Sequence, residues 1–77
     1  MVNVTPQTFK TMRNQCGYSQ PRIAKLFGVS RLSVINWEMG RHAIPGSARI
    51  LMFLLWDEQV NGNKHAVRDY LNLYVRN

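Results

Sequence analysis

An all-α fold of about five helices is predicted by three observations. Apolar residues recur at helical spacing, no stretch alternates with period two for a useful length, and caps and breakers cut the chain into five segments. The 77 residues make one domain, residues 1–77. A chain this size buries only about 60–65% of its unfolded surface, so its core is small and a partner subunit would enlarge it. Cys16 is the only cysteine and no metal-ligand cluster is visible, so apolar packing must supply the stability and no cofactor is expected. One unpaired thiol fits a reducing compartment.

Thr5-Pro6 starts the first helix: Thr serves as N-cap and Pro takes the first helical position, where its missing N–H costs nothing. Phe9, Met12, Arg13 and Cys16 follow at helical spacing, which predicts a helix from Pro6 to Gln15 or Cys16, ended by Gly17. Cys16 reads as a small apolar residue at that end. Ser19 caps a second helix with Gln20-Pro21-Arg22 as its first turn. Ile23, Ala24 and Phe27 form its inward face, with Leu26 flanking, and Gly28 supplies the positive φ of a tight turn.

Ser30 caps a third helix from about Arg31 to Met39, stopped by Gly40. Val34 and Trp37 face inward; Arg31, Leu32, Ile35 and Asn36 point elsewhere. A loop with two breakers, Pro45 and Gly46, leads to a fourth helix opened by Gly46 or Ser47. Its run ILMFLLW is apolar nearly all round, which implies burial on more than one side. Asn61-Gly62-Asn63 is a turn, and a fifth helix is expected from about Lys64 to Val75. Ala66, Val67, Tyr70, Leu71 and Tyr74 share one of its faces.

The charge is divided unevenly. Residues 1–49 hold seven Lys and Arg against Glu38 alone, a net +6, whereas residues 50–77 sum to zero. A polyanion is the natural partner, nucleic acid ahead of membrane because no basic amphipathic membrane helix is apparent. The longest apolar run, Ile50–Trp56, is seven residues, far short of the roughly 20 that span a bilayer. The first residues, MVNVTPQTFK, lack a cationic segment followed by an apolar one, so no secretory leader is expected.

Residues 19–41, SQPRIAKLFGVSRLSVINWEMGR, resemble the helix-turn-helix of the phage repressor family that includes the lambda and 434 repressors and Cro. The residues that carry the resemblance are Gln20, Ile23-Ala24, Phe27-Gly28-Val29, Val34, Trp37 and the Glu38–Arg41 end, with Arg13 and Gly17 upstream and Pro45 downstream. A small Ala24 lets two helices cross closely, and Gly28 bends the pair towards the perpendicular. The resemblance implies a lambda-repressor-like DNA-binding domain of the XRE type, similar to small phage-type or anti-CRISPR-associated regulators. It also implies a cytoplasmic place, on the nucleoid of a bacterial or phage-infected cell.

By the same resemblance the third helix enters the major groove. Arg31, Leu32 and Asn36 occupy the base-reading places: Arg31 suits guanine, Asn36 suits adenine and Leu32 suits thymine methyls. Ile35 fits either base contact or core. Ser19, Gln20, Arg22, Ser33, Arg41 and His42 are the expected phosphate contacts, although a cation at Arg22 departs from the acid often found there. Arg13 and Glu38 are expected to form a partly buried structural pair between the first helix and the third.

One such module reads few base pairs, so a homodimer on an inverted-repeat operator is expected. The candidate interface is Met52, Phe53, Leu55, Trp56, Tyr70, Leu73 and Tyr74; the alternative is that this segment only completes the monomer core. The implied function is a transcriptional repressor. The competing function is an antitoxin-type protein-interaction module with DNA autoregulation as a secondary activity. No carboxylate pair, Cys–His constellation or glycine-rich phosphate loop suggests an enzyme, and no small-molecule ligand is evident.

Overall fold

The computed structural model describes residues 3–75, with side chains as far as residue 71. Five helices follow one another: α1 (Pro6–Gln15), α2 (Gln20–Phe27), α3 (Arg31–Glu38), α4 (Gly46–Val60) and α5 (Val67–Val75). Among the described residues there is no strand. α1 packs against α3 and α4, α2 against α3 and α5, and α4 against α5.

The first three helices start and stop by the same devices. The hydroxyls of Thr5, Ser19 and Ser30 accept from the backbone N–H of Thr8, Arg22 and Ser33, at 3.1, 3.2 and 3.1 Å. At each C-terminus two N–H groups fold back onto the last turn. For α2, Gly28 N donates to the Lys25 carbonyl at 3.3 Å and Val29 N to the Ala24 carbonyl at 3.0 Å. Gly17 with Tyr18 closes α1, and Gly40 with Arg41 closes α3, through the corresponding pairs. α2 and α3 have only eight residues each, too few to persist in water unaided, so these caps and the core hold them.

Phe9 is the hub of that core. It is fully buried, and its ring meets Phe27 of α2 and Trp37 of α3 edge to face, with centroids 6.3 and 5.9 Å apart. Ile23, Val34, Met52 and Leu55 are fully buried in the same cluster. Ile44 plugs the α3–α4 loop into it. Two side-chain bonds fasten α4 to the end of α1: Trp56 Nε1 donates to Gln15 Oε1 at 2.6 Å, and Gln59 Nε2 to the Tyr18 hydroxyl at 2.7 Å. Cys16 is half-buried, and that burial pushes its thiol pKa up, as suits a packing residue.

Three expectations are corrected. Leu26 is buried rather than flanking; α5 packs against α2, a contact that local periodicity does not reveal. α5 begins at Val67, three residues later than Lys64, because Ala66 takes a φ of +58°, which a right-handed helix cannot include. Ala66 and Tyr70 are exposed, which leaves Val67 and Leu71 as the buried face.

Two neighbouring acids at the end of α4 organise this late start. The Asp57 carboxylate accepts from Asn61 Nδ2 at 2.8 Å and from Asn63 Nδ2 at 3.0 Å, and it lies 2.8 Å from His65 Nε2. The hydrogen bond with His65, then those from Asn61 and Asn63, lower the Asp57 pKa to about 2. Glu58 accepts from the backbone N–H of Val67 at 2.9 Å and of Arg68 at 3.3 Å, capping α5 from outside its own segment.

Candidate nucleic-acid interface

The site is built around the turn between α2 and α3. Gly28 has a φ of +70°, the left-handed conformation that a β-carbon disfavours; no atom would clash with an added Cβ there, so backbone conformation alone demands glycine. Two residues later the Ser30 hydroxyl takes up the Ser33 N–H and starts α3. Val34 and Trp37 then lock the inner face of α3 into the core, which leaves Arg31 and Leu32 exposed and Ser33, Ile35 and Asn36 half-buried.

That outward face carries the residues expected to meet bases. Arg31 is exposed, Leu32 is 62% exposed, and Asn36 and Ile35 are half-buried. Met39, at the end of the helix, is 59% exposed. Leu32, Asn36 and Met39 are spaced four and three apart, as residues on one helical face are. Ser33 is half-buried, and its hydroxyl lies 3.0 Å from that of Ser30.

The electrostatics of this face follow from one carboxylate. Glu38 accepts from Arg13 Nε at 2.6 Å, from Arg13 Nη2 at 3.0 Å and from Gln20 Nε2 at 3.1 Å. Its side chain retains 3% of its exposure and that of Arg13 8%. The third guanidinium nitrogen of Arg13, Nη1, donates to the Tyr18 carbonyl at 2.8 Å. The single acid of residues 1–49 is thereby enclosed and neutralised, and Gln20 braces the start of α2 against the end of α3. A forked pair with satisfied neighbours is the arrangement in which a covered ion pair is tolerated.

The expected phosphate contacts lie around this face. Ser19 and Arg22 are exposed at the start of α2, with the Ser19 hydroxyl already holding the Arg22 N–H. Gln20 is half-buried against Glu38. Arg41 and His42 are exposed beyond α3, and their backbone N–H groups both donate to the Asn36 carbonyl, at 2.9 and 3.4 Å. The loop that carries them is thus fixed to α3 at Asn36.

No protein-family profile and no solved structure matches the chain significantly. Over 59 residues it is 34% identical to a protein of Thermococcus gammatolerans named "Putative HTH-type transcriptional regulatory protein", covering 77% of this chain and 19% of that protein. A protein of the same description from Thermococcus kodakarensis is 33% identical over 57 residues, 74% of this chain and 18% of its own length. The chain spans about a fifth of the length of these relatives. In this chain α2, the turn at Gly28 and α3 have the helix-turn-helix order that this description names.

Around this helix-turn-helix, the residues expected at a subunit contact separate. Met52 and Leu55 are fully enclosed in the chain's own core and so cannot meet a partner while the fold is intact. They lie on the core-facing side of α4, which the unbroken apolar run concealed. Phe53 and Trp56 are half-buried, with ring centroids 6.1 Å apart, and Tyr70 is exposed. The side chains of Leu73 and Tyr74 lie outside the described residues. Ile50 and Val60, 63% and 45% exposed, add apolar surface to α4 that the sequence reading had not assigned. Among the described residues no helix is long and apolar enough to cross a membrane, and no His, Cys, Asp or Glu group could hold a metal ion.

Proposed function

We propose that the chain is a sequence-specific, double-stranded DNA-binding transcriptional repressor that places α3 in the major groove. The observation that carries this reading is the outward face of α3. Arg31 and Asn36 stand there, exposed cations lie at both ends of the motif, and the one nearby acid is enclosed by Arg13 and Gln20. The names of the Thermococcus proteins support a regulatory role.

In this reading Arg31 reads guanine, Asn36 reads adenine, and Leu32 packs on a thymine methyl. Ser19, Gln20, Arg22, Ser33, Arg41 and His42 set the register on the phosphates. A homodimer supplies the second recognition helix for an inverted repeat, joined through the exposed Ile50, Val60 and Tyr70 of α4 and α5 with the half-buried Phe53. The chain represses by occupying a promoter and uses no cofactor.

Salt titration of duplex binding tests the reading. Each phosphate contact formed by a cation steepens the fall of affinity with salt, so three such contacts give a log–log slope of about −3. Binding that ignores salt, or that fails for every duplex, would remove DNA from the reading.

A further inference from the structure

We infer that the half-site read by α3 is defined chiefly by thymine methyl groups, met by a continuous apolar row of Leu32, Ile35 and Met39. The inference rests on the DNA-binding reading above and names the base chemistry that α3 selects. Leu32, Ile35, Asn36 and Met39 stand at the i, i+3, i+4 and i+7 spacing of one helical face, opposite Val34 and Trp37. Of the five large hydrophobic residues exposed among the described ones, two, Leu32 and Met39, stand at the two ends of this short helix. Ile35 is half-buried between them. Asn36 is the one member of the row that can hydrogen-bond a base.

In the major groove the thymine C5-methyl is the apolar group presented on a base edge. An apolar row inserted there finds its complement in thymines and leaves other base edges without a partner. The surroundings favour DNA over an apolar protein surface. Arg31 is exposed beside the row and Arg41 just beyond it, and Glu38 is withdrawn into its pair with Arg13. From Leu32 to Met39 the helix rises about 10 Å, at roughly 1.5 Å per residue. That matches about three base-pair steps at roughly 3.4 Å each. The half-site therefore holds up to three thymines, on either strand, with an adenine for Asn36 among them. The unbranched thioether of Met39 adapts to the methyl at the far end.

Replacing thymine by uracil removes the methyl and leaves every hydrogen-bonding group in place. Duplexes selected by the full chain from a random pool are resynthesised with uracil at single thymine positions, and their affinities are measured. Each methyl in contact is expected to account for about fourfold in affinity, the value of one buried methyl-sized group. Leu32→Ala and Met39→Ala, both at exposed positions, should each abolish the uracil penalty at one position and keep it at the others. Equal binding of thymine and uracil duplexes would overturn the inference while leaving sequence-selective DNA binding intact. A uracil penalty unchanged in both variants would overturn it equally. Failure to select any duplex would overturn the DNA reading itself, and the inference with it.

Discussion

Arg13 and Glu38, separated by 25 residues in sequence, are joined by two hydrogen bonds of 2.6 and 3.0 Å that tie the end of α1 to the end of α3. The pair does two things at once. It fixes the outer end of α3, and it removes the only negative charge from the half of the chain that carries the net +6.

Loss of one partner is therefore costly. Arg13→Met leaves Glu38 enclosed with Gln20 as its remaining side-chain donor, and is expected to destabilise the fold by roughly 3 kcal/mol, the range for breaking a covered pair. Urea unfolding followed by circular dichroism measures this. Glu38→Gln should also lower stability and alter DNA affinity; unchanged values for both would show that the pair does neither job.

Arg31 and Arg41 are both exposed cations with different expected duties. Arg31→Ala should cost about 1–3 kcal/mol on the selected duplex and relax the preference at one base position. Arg41→Ala should weaken all sequences alike and reduce the salt slope by about one. Parallel titrations on selected and random duplexes separate the two effects. Equal losses on both duplexes for both variants would contradict the division.

Acid should loosen the α4–α5 connection through Asp57. Its folded pKa is lowered to about 2, so its contribution to stability is fully present above the unfolded carboxyl value near ~4 and is lost as pH falls through the folded value. The protection of α5 amides, corrected for intrinsic exchange, should fall across that window. Asp57→Asn should flatten the pH dependence there while lowering protection at neutral pH.

Assembly is tested by sedimentation. The wild-type chain is expected to dimerise with rising concentration, and Ile50→Glu, which changes a side chain 63% exposed, should leave a folded monomer. A monomer at high micromolar concentration that still binds an inverted repeat without cooperativity would contradict the preformed dimer.

Much of the fold was legible because its devices are local. The Thr5, Ser19 and Ser30 caps, the exits at Gly17, Gly28 and Gly40, and the inward spacing of Val34 and Trp37 each lie within a few residues of what they control. The misplacements arose where distant segments decide. Leu26 is buried in a helix that packs against α5, and the start of α5 is set by Glu58 reaching across the turn. The adjacent acids before Asn61-Gly62-Asn63 were a readable hint of that capping. On α4, a run apolar on every side hides which residues face inward, so Met52 and Leu55 could not be told from Ile50 by pattern alone. Met39, beside the terminating Gly40, reads in the sequence as the end of a helix rather than as part of its face.

Selection of bound sequences from a pool of random duplexes tests the central claim most directly. The expected result is enrichment of an inverted repeat whose half-site centres lie about 10 base pairs apart, or a multiple of that, as two recognition helices on one side of the duplex require. A pool that stays random through successive rounds would contradict it.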